Sequence, residues 1–530
     1  MLTSDSTPQS RTHRATVPAS RWRRRLHLLL TVALGVTPVA VALCAPVMSD
    51  DTALVTSQPT VFPERTAVPQ RPCQPGDRPE TGMQGRVPKE DLLSGRAAQG
   101  YTCNLRSVGR FPTTSAASFD VYQDCAYVAR QLGAGGVQVL DVSDPANPRP
   151  TDTLATPAML DPWESLRVNA KRGLLAAAGE YKPYVDIYDI SGDCRRPRLL
   201  STAPILPGKG HEGWFSPDGN TYYVSTTRTH EGAGMTPTLF PVDVSDPANP
   251  RTLSSWTFNT QTHGGATTED GTRSYACQQD APPKDALTVL DTTAIAERAS
   301  SPQPRVLAEV TLGDNQWCQG AYRVTYDGHP YLIQYGERSG SADCSRAGDN
   351  WATFGYPRIF DLADESHPRL VSSALLESAL PQHCAEVTGE GAANGLGYSV
   401  HHCAPDRLYD PTILVCSWFG AGLRVLDIRD PKHPVELAYF NPGVNGALGT
   451  AARPVVRAER GEIWFAHDIS GFYALRFEND VWPFDGSDPC PEYDDYYFSH
   501  YNPMSSCPTA NFDGIGEPAP AAPRYRAPTS

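Results

Sequence analysis

The chain has 530 residues, of which 40% are hydrophobic and 20% charged, and its formal net charge is −14. Nucleic acid and anionic membrane surfaces both require a positive patch, so neither is expected as a partner of so acidic a protein. Without residues 1–45, which take away six Arg and one Asp, the balance is 39 basic against 58 acidic residues, and the exclusion strengthens.

Residues 1–45 read as a targeting segment. Arg21, Arg23, Arg24 and Arg25 precede an apolar stretch from Leu26 to Leu43, and Ala40-Val41-Ala42 offers an A-x-A cleavage site. The basic flank places the N-terminus in the cytoplasm and the rest across the membrane. Pro38 and the small residues after it favour a cleaved signal peptide. An uncleaved signal anchor is the competing reading, because the stretch approaches the ~18 residues of a span; it would be the one attachment to a membrane. Bulky Leu43 argues against lipid attachment at Cys44, and Arg23-Arg24 is the pair used in twin-arginine export. The expected location is secreted, periplasmic or cell surface. Twelve cysteines follow Cys44 and none forms a C-x-x-C pair, which reads as disulfides in an oxidising compartment rather than zinc-ribbon or thioredoxin chemistry. Cys73–Cys103 and Cys490–Cys507 are the local bridges expected; sequence leaves the remaining connectivity open.

Residues 46–100, rich in Pro, Thr, Gly and charge and without apolar periodicity, read as a linker. From 101 to 480 a repeat takes over. Six short apolar runs each end in an aspartate, at Asp141, Asp189, Asp243, Asp291, Asp361 and Asp427, and a degenerate seventh run, Gly471 to Phe477, carries Arg476 in that place. Four of the six lead into a Pro-bearing turn; Ser143-Asp144-Pro145-Ala146-Asn147-Pro148 recurs as Ser245-Asp246-Pro247-Ala248-Asn249-Pro250. The intervals between these positions are 48, 54, 48, 70, 66 and 49 residues, which suits a four-stranded propeller blade at ~40–50 residues per repeat. Gly213 to Ser216, then Pro217-Asp218-Gly219-Asn220, then Thr221 to Ser225 predicts a hairpin of strands A and B, Asp-Gly supplying the turn's positive φ. The repeat run is strand C, apolar on both faces, and segments such as Arg198 to Ser201 are an outer strand D. The last blade has no D strand of its own, whereas Asn104 to Phe111 resembles a D strand with no blade before it. The prediction is all-β: a seven-bladed β-propeller whose N-terminal strand completes the last blade and removes the open sheet edges. Insertions are expected around 339–351 and 389–410. The tail, 481–530, is acidic and Tyr-rich, then Pro-rich.

These runs resemble the LVIVD-repeat family of secreted and cell-surface β-propellers, a resemblance that covers about 101–480 and implies fold and export but no reaction. Ser417 to Pro431 is also similar to a blade of the selenium-binding protein (methanethiol oxidase) propellers, which implies histidine-bound copper; the paired-His segments of those proteins are not found here.

Chemistry, if present, is expected where strands A begin. His211, His263 and His383 each stand just before an expected strand A, with Glu164 and Gln319 at equivalent points of two other blades. The B–C loops of the same face add His230, Glu337 and His467. Imidazoles converging from different blades suit a transition metal such as copper or zinc, with a carboxylate as further ligand and an open position for substrate. The bland alternative is a water-filled channel lined by polar residues that repeat because blades repeat. Cys384 is expected in a disulfide, His401-His402-Cys403 in a solvated loop of the opposite face, and the repeat aspartates as turn caps rather than Ca²⁺ ligands. No G-x-S-x-G, H-E-x-x-H or P-loop is present. Three functions stay open: a module binding a protein or small-molecule ligand through the His-rich face, a metal-dependent copper oxidoreductase, and a structural envelope protein.

Overall fold

A computed structural model describes residues 65–482, apart from 115–117, 131–134, 181, 205–209, 227–237, 258–260, 280–285, 312–315, 339–343, 345–352, 392–395, 444–451 and 479. The targeting segment, His230, Cys490 and Cys507 therefore lie outside the described residues.

The strands form seven antiparallel sheets, six of them with strands A to D in chain order. Strands A, at Phe119–Tyr122, Arg167–Asn169, Glu212–Phe215, Gln261–Thr267, Trp317–Tyr326, Val400–Pro405 and Val455–Arg457, lie side by side from blade 1 to blade 7. The ring closes as expected: Leu105–Phe111 is the fourth strand of blade 7, paired from Leu105↔Phe477 to Phe111↔Phe472. The preceding strand, Tyr101–Cys103, adds a fifth strand to blade 6. At Asn104, whose φ is +57°, the chain steps between the two sheets. Its side chain is held there by the carbonyl of Leu437 at 3.0 Å.

Strands B and C are buried on both faces because each sheet is sandwiched between two neighbours. One inter-blade core joins Val415, Leu423 and Val425 of blade 6 to Phe465, Tyr473 and Leu475 of blade 7. The Asp-Gly device recurs where strand A turns into B: Asp327 and Gly328 have φ of +49° and +77°, the pair of positive values a two-residue hairpin turn needs.

The repeat aspartates are turn caps. In all six the carboxylate accepts the backbone N–H two residues on, from Ser143, Ser191, Ser245, Thr293, Ala363 and Arg429, at 2.9–3.1 Å. In four blades the residue opposite, opening strand D, is an arginine that pairs with the same carboxylate: Arg198, Arg251, Arg305 and Arg369, at 2.7–3.0 Å.

Two expectations fail. Residues 65–100 are not a free linker but a strap docked on the outer edge of blades 5 and 6. It bridges Ala67 to Leu375 and Gln70 to Glu436, carries a helix at Lys89–Ser94 and is stapled by Cys73–Cys103. Its anchor is ionic. Arg424 in strand C of blade 6 is fully buried between Glu436, at 2.9 Å, and Glu80 of the strap, and Gln84 donates to Glu436 at 2.7 Å. Such contacts come from single polar residues and leave no periodic trace. The second failure is the position of strand A in blade 6. It is Val400–Pro405, so His401-His402-Cys403 is neither an insertion nor solvated; the inserted stretch before it is 374–399. Cys403 is bonded to Cys416 across the A–B hairpin, a pairing only adjacent strands allow.

Further disulfides join Cys125 to Cys194, Cys277 to Cys318 and Cys344 to Cys384; five in all among the described residues fit an oxidising compartment. No helix among the described residues is long and apolar enough to cross a membrane.

Candidate metal centre

The residues that start strands A meet at Glu164, a buried carboxylate in the turn leading into blade 2. Its Oε2 accepts Gln319 Nε2 at 3.0 Å and lies 3.4, 3.8 and 3.9 Å from the Nε2 atoms of His263, His211 and His402. Its Oε1 lies 3.0 Å from His401 Nε2, which is 3.4 Å from Glu337 Oε1. All seven side chains are buried.

Local irregularities of the ladder bring these residues there. In blade 4 the register slips between Thr262 and Gly265, at His263-Gly264. In blade 5 it slips between Cys318 and Gly320, at Gln319; in blade 6, between Val400 and His402, at His401. A bulge places an extra residue in one strand and re-aims its side chains. Without it, successive side chains point to opposite faces; with it, His401 and its neighbour His402 both reach Glu164. Glycine is needed beside His263: a Cβ on Gly264 would meet the Glu212 carboxylate and come within 2.6 Å of the Gln319 carbonyl oxygen. Before Glu164, Trp163 sits at φ +42°, a left-handed conformation that costs a bulky residue about 1–3 kcal/mol, and its ring packs 6.3 Å from that of His211. Phe419 covers His401, with ring centroids 4.5 Å apart.

Outer partners fix two tautomers. His263 Nδ1 faces Glu212 Oε2 at 2.7 Å and the Gln319 carbonyl at 3.0 Å; His211 Nδ1 faces Glu180 Oε2 at 3.1 Å. These partners only accept, so both Nδ1 atoms carry hydrogen and donate. In the neutral rings both Nε2 atoms then present lone pairs, and they face each other at 3.0 Å. Something positive must sit between or beside them, a proton or a metal ion. Glu212 is itself held by Arg167 at 2.9 Å.

The electrostatics follow from burial. Burial disfavours the His211 imidazolium, but Glu180, Glu164 and Glu212 outweigh it and push its pKa up to about 9. Burial also opposes ionisation of Glu164, yet His263, His401 and His402 hold it well below the usual carboxylate range. At Glu337 burial prevails and raises the pKa to about 7. Burial, followed by the neighbouring His401, keeps His402 well below the ordinary histidine value.

Of the residues expected at a site, Glu164, His211, His263, Gln319 and Glu337 come together. His383 does not. It closes a short helical turn, Pro381–His383, inside the 374–399 insertion, 3.7 Å from Glu377 and 3.6 Å from Glu386, and Cys384 beside it is bonded to Cys344. Pro381 starts a helix there rather than a strand. His467 ends strand B of blade 7 and bonds Ser470 Oγ at 2.9 Å; burial and Arg110 lower its pKa to about 3. His401 and His402, read as loop residues, belong to the cluster instead. The signal for them was strand B at Ile413–Trp418, since strand A must lie one short turn before it.

A family model described as the LVIVD repeat matches residues 114–155, which cover blade 1. No curated protein matches the chain. Among solved structures it is similar to the β-propeller domain of Cps50 (Swd1) from Myceliophteria thermophila, at 12% identity and a TM-score of 0.44 over 71% of this chain and 100% of that one. It is also similar to hydrazine synthase from Kuenenia stuttgartiensis, at 12% identity and a TM-score of 0.43 over 70% of this chain and 96% of that one. The chain is a seven-bladed β-propeller carrying an LVIVD repeat.

Proposed function

We propose that the chain is an exported, metal-dependent enzyme of the oxidoreductase class, with a transition-metal ion held by His211, His263 and Glu164 where strands A converge. One observation carries the reading: two imidazoles with their Nδ1 hydrogens committed to acceptors turn their Nε2 lone pairs toward each other at 3.0 Å. Ligand atoms bound at ~2.0–2.2 Å to one ion are about 3–3.5 Å apart in tetrahedral or octahedral arrangement, and the three separations here are 3.0, 3.4 and 3.8 Å. Carboxylates on the outer nitrogens are the usual support of metal-bound imidazoles. Two His and one carboxylate suit iron, and imidazole also suits copper and zinc. A redox-active ion in this set has positions left for substrate and supplies one-electron chemistry. The chain's own groups orient the rings through Glu180 and Glu212 and wall the site with Trp163 and Phe419, which suits a small-molecule substrate. Export is supported by the five disulfides.

The test is metal analysis of the full chain, exported from its host and purified without chelators. At least one equivalent of iron or copper per chain is expected, and His211→Ala and His263→Ala should each lower the content by one equivalent while the chain still unfolds cooperatively. A wild-type protein without stoichiometric metal, and unable to take it up, would leave a ligand-binding module with a proton between the two rings.

A further inference from the structure

We infer that the site holds a second transition-metal ion, on His401 and His402, with the Glu164 carboxylate bridging the two ions and Glu337 as an additional donor. This rests on the metal reading of His211, His263 and Glu164.

The donors do not form one group. They fall into two sets, Glu164 with His211 and His263, and Glu164 with His401 and His402, and within each set the donor atoms lie within 4.8 Å of one another. Donors on a single ion at ~2.1 Å can be no more than about 4.2 Å apart, so four imidazoles sorted into two such sets match two ions better than one. The carboxylate reaches both sets. Its Oε1 is 3.0 Å from His401 Nε2, while Oε2 lies 3.4, 3.8 and 3.9 Å from the Nε2 atoms of His263, His211 and His402. A carboxylate whose two oxygens touch donors of both sets is the bridge that ions about 3.5–4 Å apart, as in known two-metal sites, would use.

His402 supplies an independent observation. Its ring is 1% exposed, and neither Nδ1 nor Nε2 has a hydrogen-bond partner. A buried polar group left unsatisfied costs about 1–3 kcal/mol, and native interiors avoid it. An ion on Nε2, 3.9 Å from Glu164 Oε2, would satisfy the lone pair of that nitrogen. The bulge at His401 is the second structural concession: ladder regularity is given up at the one place where it turns two consecutive imidazoles to the same carboxylate. Charge agrees. Glu164, Glu180, Glu212 and Glu337 are all buried here, and buried carboxylates demand compensating cations; Arg167 pairs with Glu212, and a single divalent ion would leave one of the other three uncompensated.

The decisive measurement is stoichiometry on the full chain stripped of metal and reloaded with zinc(II). Two equivalents are expected in the wild type, one in His401→Ala/His402→Ala, and one in His211→Ala/His263→Ala. Copper(II) loaded into the wild type gives a readout that needs no variant: two ions sharing Glu164 should show a spin-coupled paramagnetic resonance spectrum with a half-field feature. A single equivalent of zinc together with an uncoupled copper spectrum would overturn the second ion and leave the first standing. No stoichiometric uptake by the wild type would overturn both.

Discussion

Where strand C turns into strand D, six blades repeat one solution: an aspartate accepts the backbone N–H two residues on, and in four of them an arginine opening strand D pairs with it. Where strand A begins, the solution changes from blade to blade: Glu164, His211, His263, Gln319 and His401, with ladder slips in blades 4, 5 and 6. Both ends are rich in carboxylates, but those of the first, Asp243 excepted, are partly exposed and those of the second are buried. Repetition at one end therefore reports how blades are made, and departure from repetition at the other reports what they are used for. It also follows that the same kind of substitution should have unequal consequences at the two ends.

The largest difference is expected from removing a carboxylate. Glu212→Ala takes the carboxylate from Arg167 and leaves His263 Nδ1 with the Gln319 carbonyl; breaking a buried pair by deleting one partner costs about 3–5 kcal/mol, and denaturant titration should read a loss of that size. Asp291→Ala removes one backbone cap from Thr293 at 3.0 Å and one exposed pair with Arg305 at 2.9 Å; caps of this kind are worth about 0.5–2 kcal/mol. Equal losses at the two positions would refute the contrast. Between them falls Gly264→Ala. The added Cβ meets the Glu212 carboxylate and a backbone carbonyl that cannot rotate away, so overpacking of about 1–3 kcal/mol is expected, together with loss of metal from His263. At Gly271, which unlike Gly264 has a positive φ of +71°, the nearest neighbour is a lone Cβ of Ala296 at 3.0 Å, so Gly271→Ala should destabilise through backbone strain and leave metal content unchanged.

The fold was legible in the sequence because every blade repeats the same capped turn, and the closing strand because its apolar pattern stood without a blade of its own. Half of the site was legible for a related reason: Glu164, His211, His263 and Gln319 stand at a fixed place relative to their hairpins. His401 and His402 escaped because 374–399 intervenes between strands D and A, and His383 stands at the distance from strand D where the other blades place their site residue. Counting back from strand B instead of forward from strand D finds the correct pair, since hairpins are short and insertions are not. The strap at 65–100 gave no pattern because it is attached through a disulfide, isolated bridges and single polar side chains such as Gln70, Glu80, Gln84 and Arg86, and none of these recurs at a period.

The smallest effect expected is a shift in acid sensitivity at the repeated end. The Arg195 side chain bonds Asp141 at 2.7 Å and, against the opposing effect of burial and with help from the Ser143 amide, holds its pKa down to about 2. An unfolded aspartate titrates near ~3.9, so the folded state binds the proton less readily than the unfolded one. The stabilisation is then fully present above about pH 5, and is lost as the pH falls through ~3.9 toward 2 and the carboxylate is protonated. Arg195→Ala removes the leading cause of the depression, leaving the Ser143 cap. Because the pair is largely in water, a loss of about 0.2–1 kcal/mol is expected near neutrality. The difference from wild type should shrink as the pH falls through ~3.9 to about 2, where Asp141 is half protonated in the wild type, and vanish below that; salt should diminish it at pH 7. Urea titrations of the two proteins at pH 7, 4 and 2 would check it. A gap that stayed constant on acidification would mean that Arg195 acts through packing and not through the aspartate.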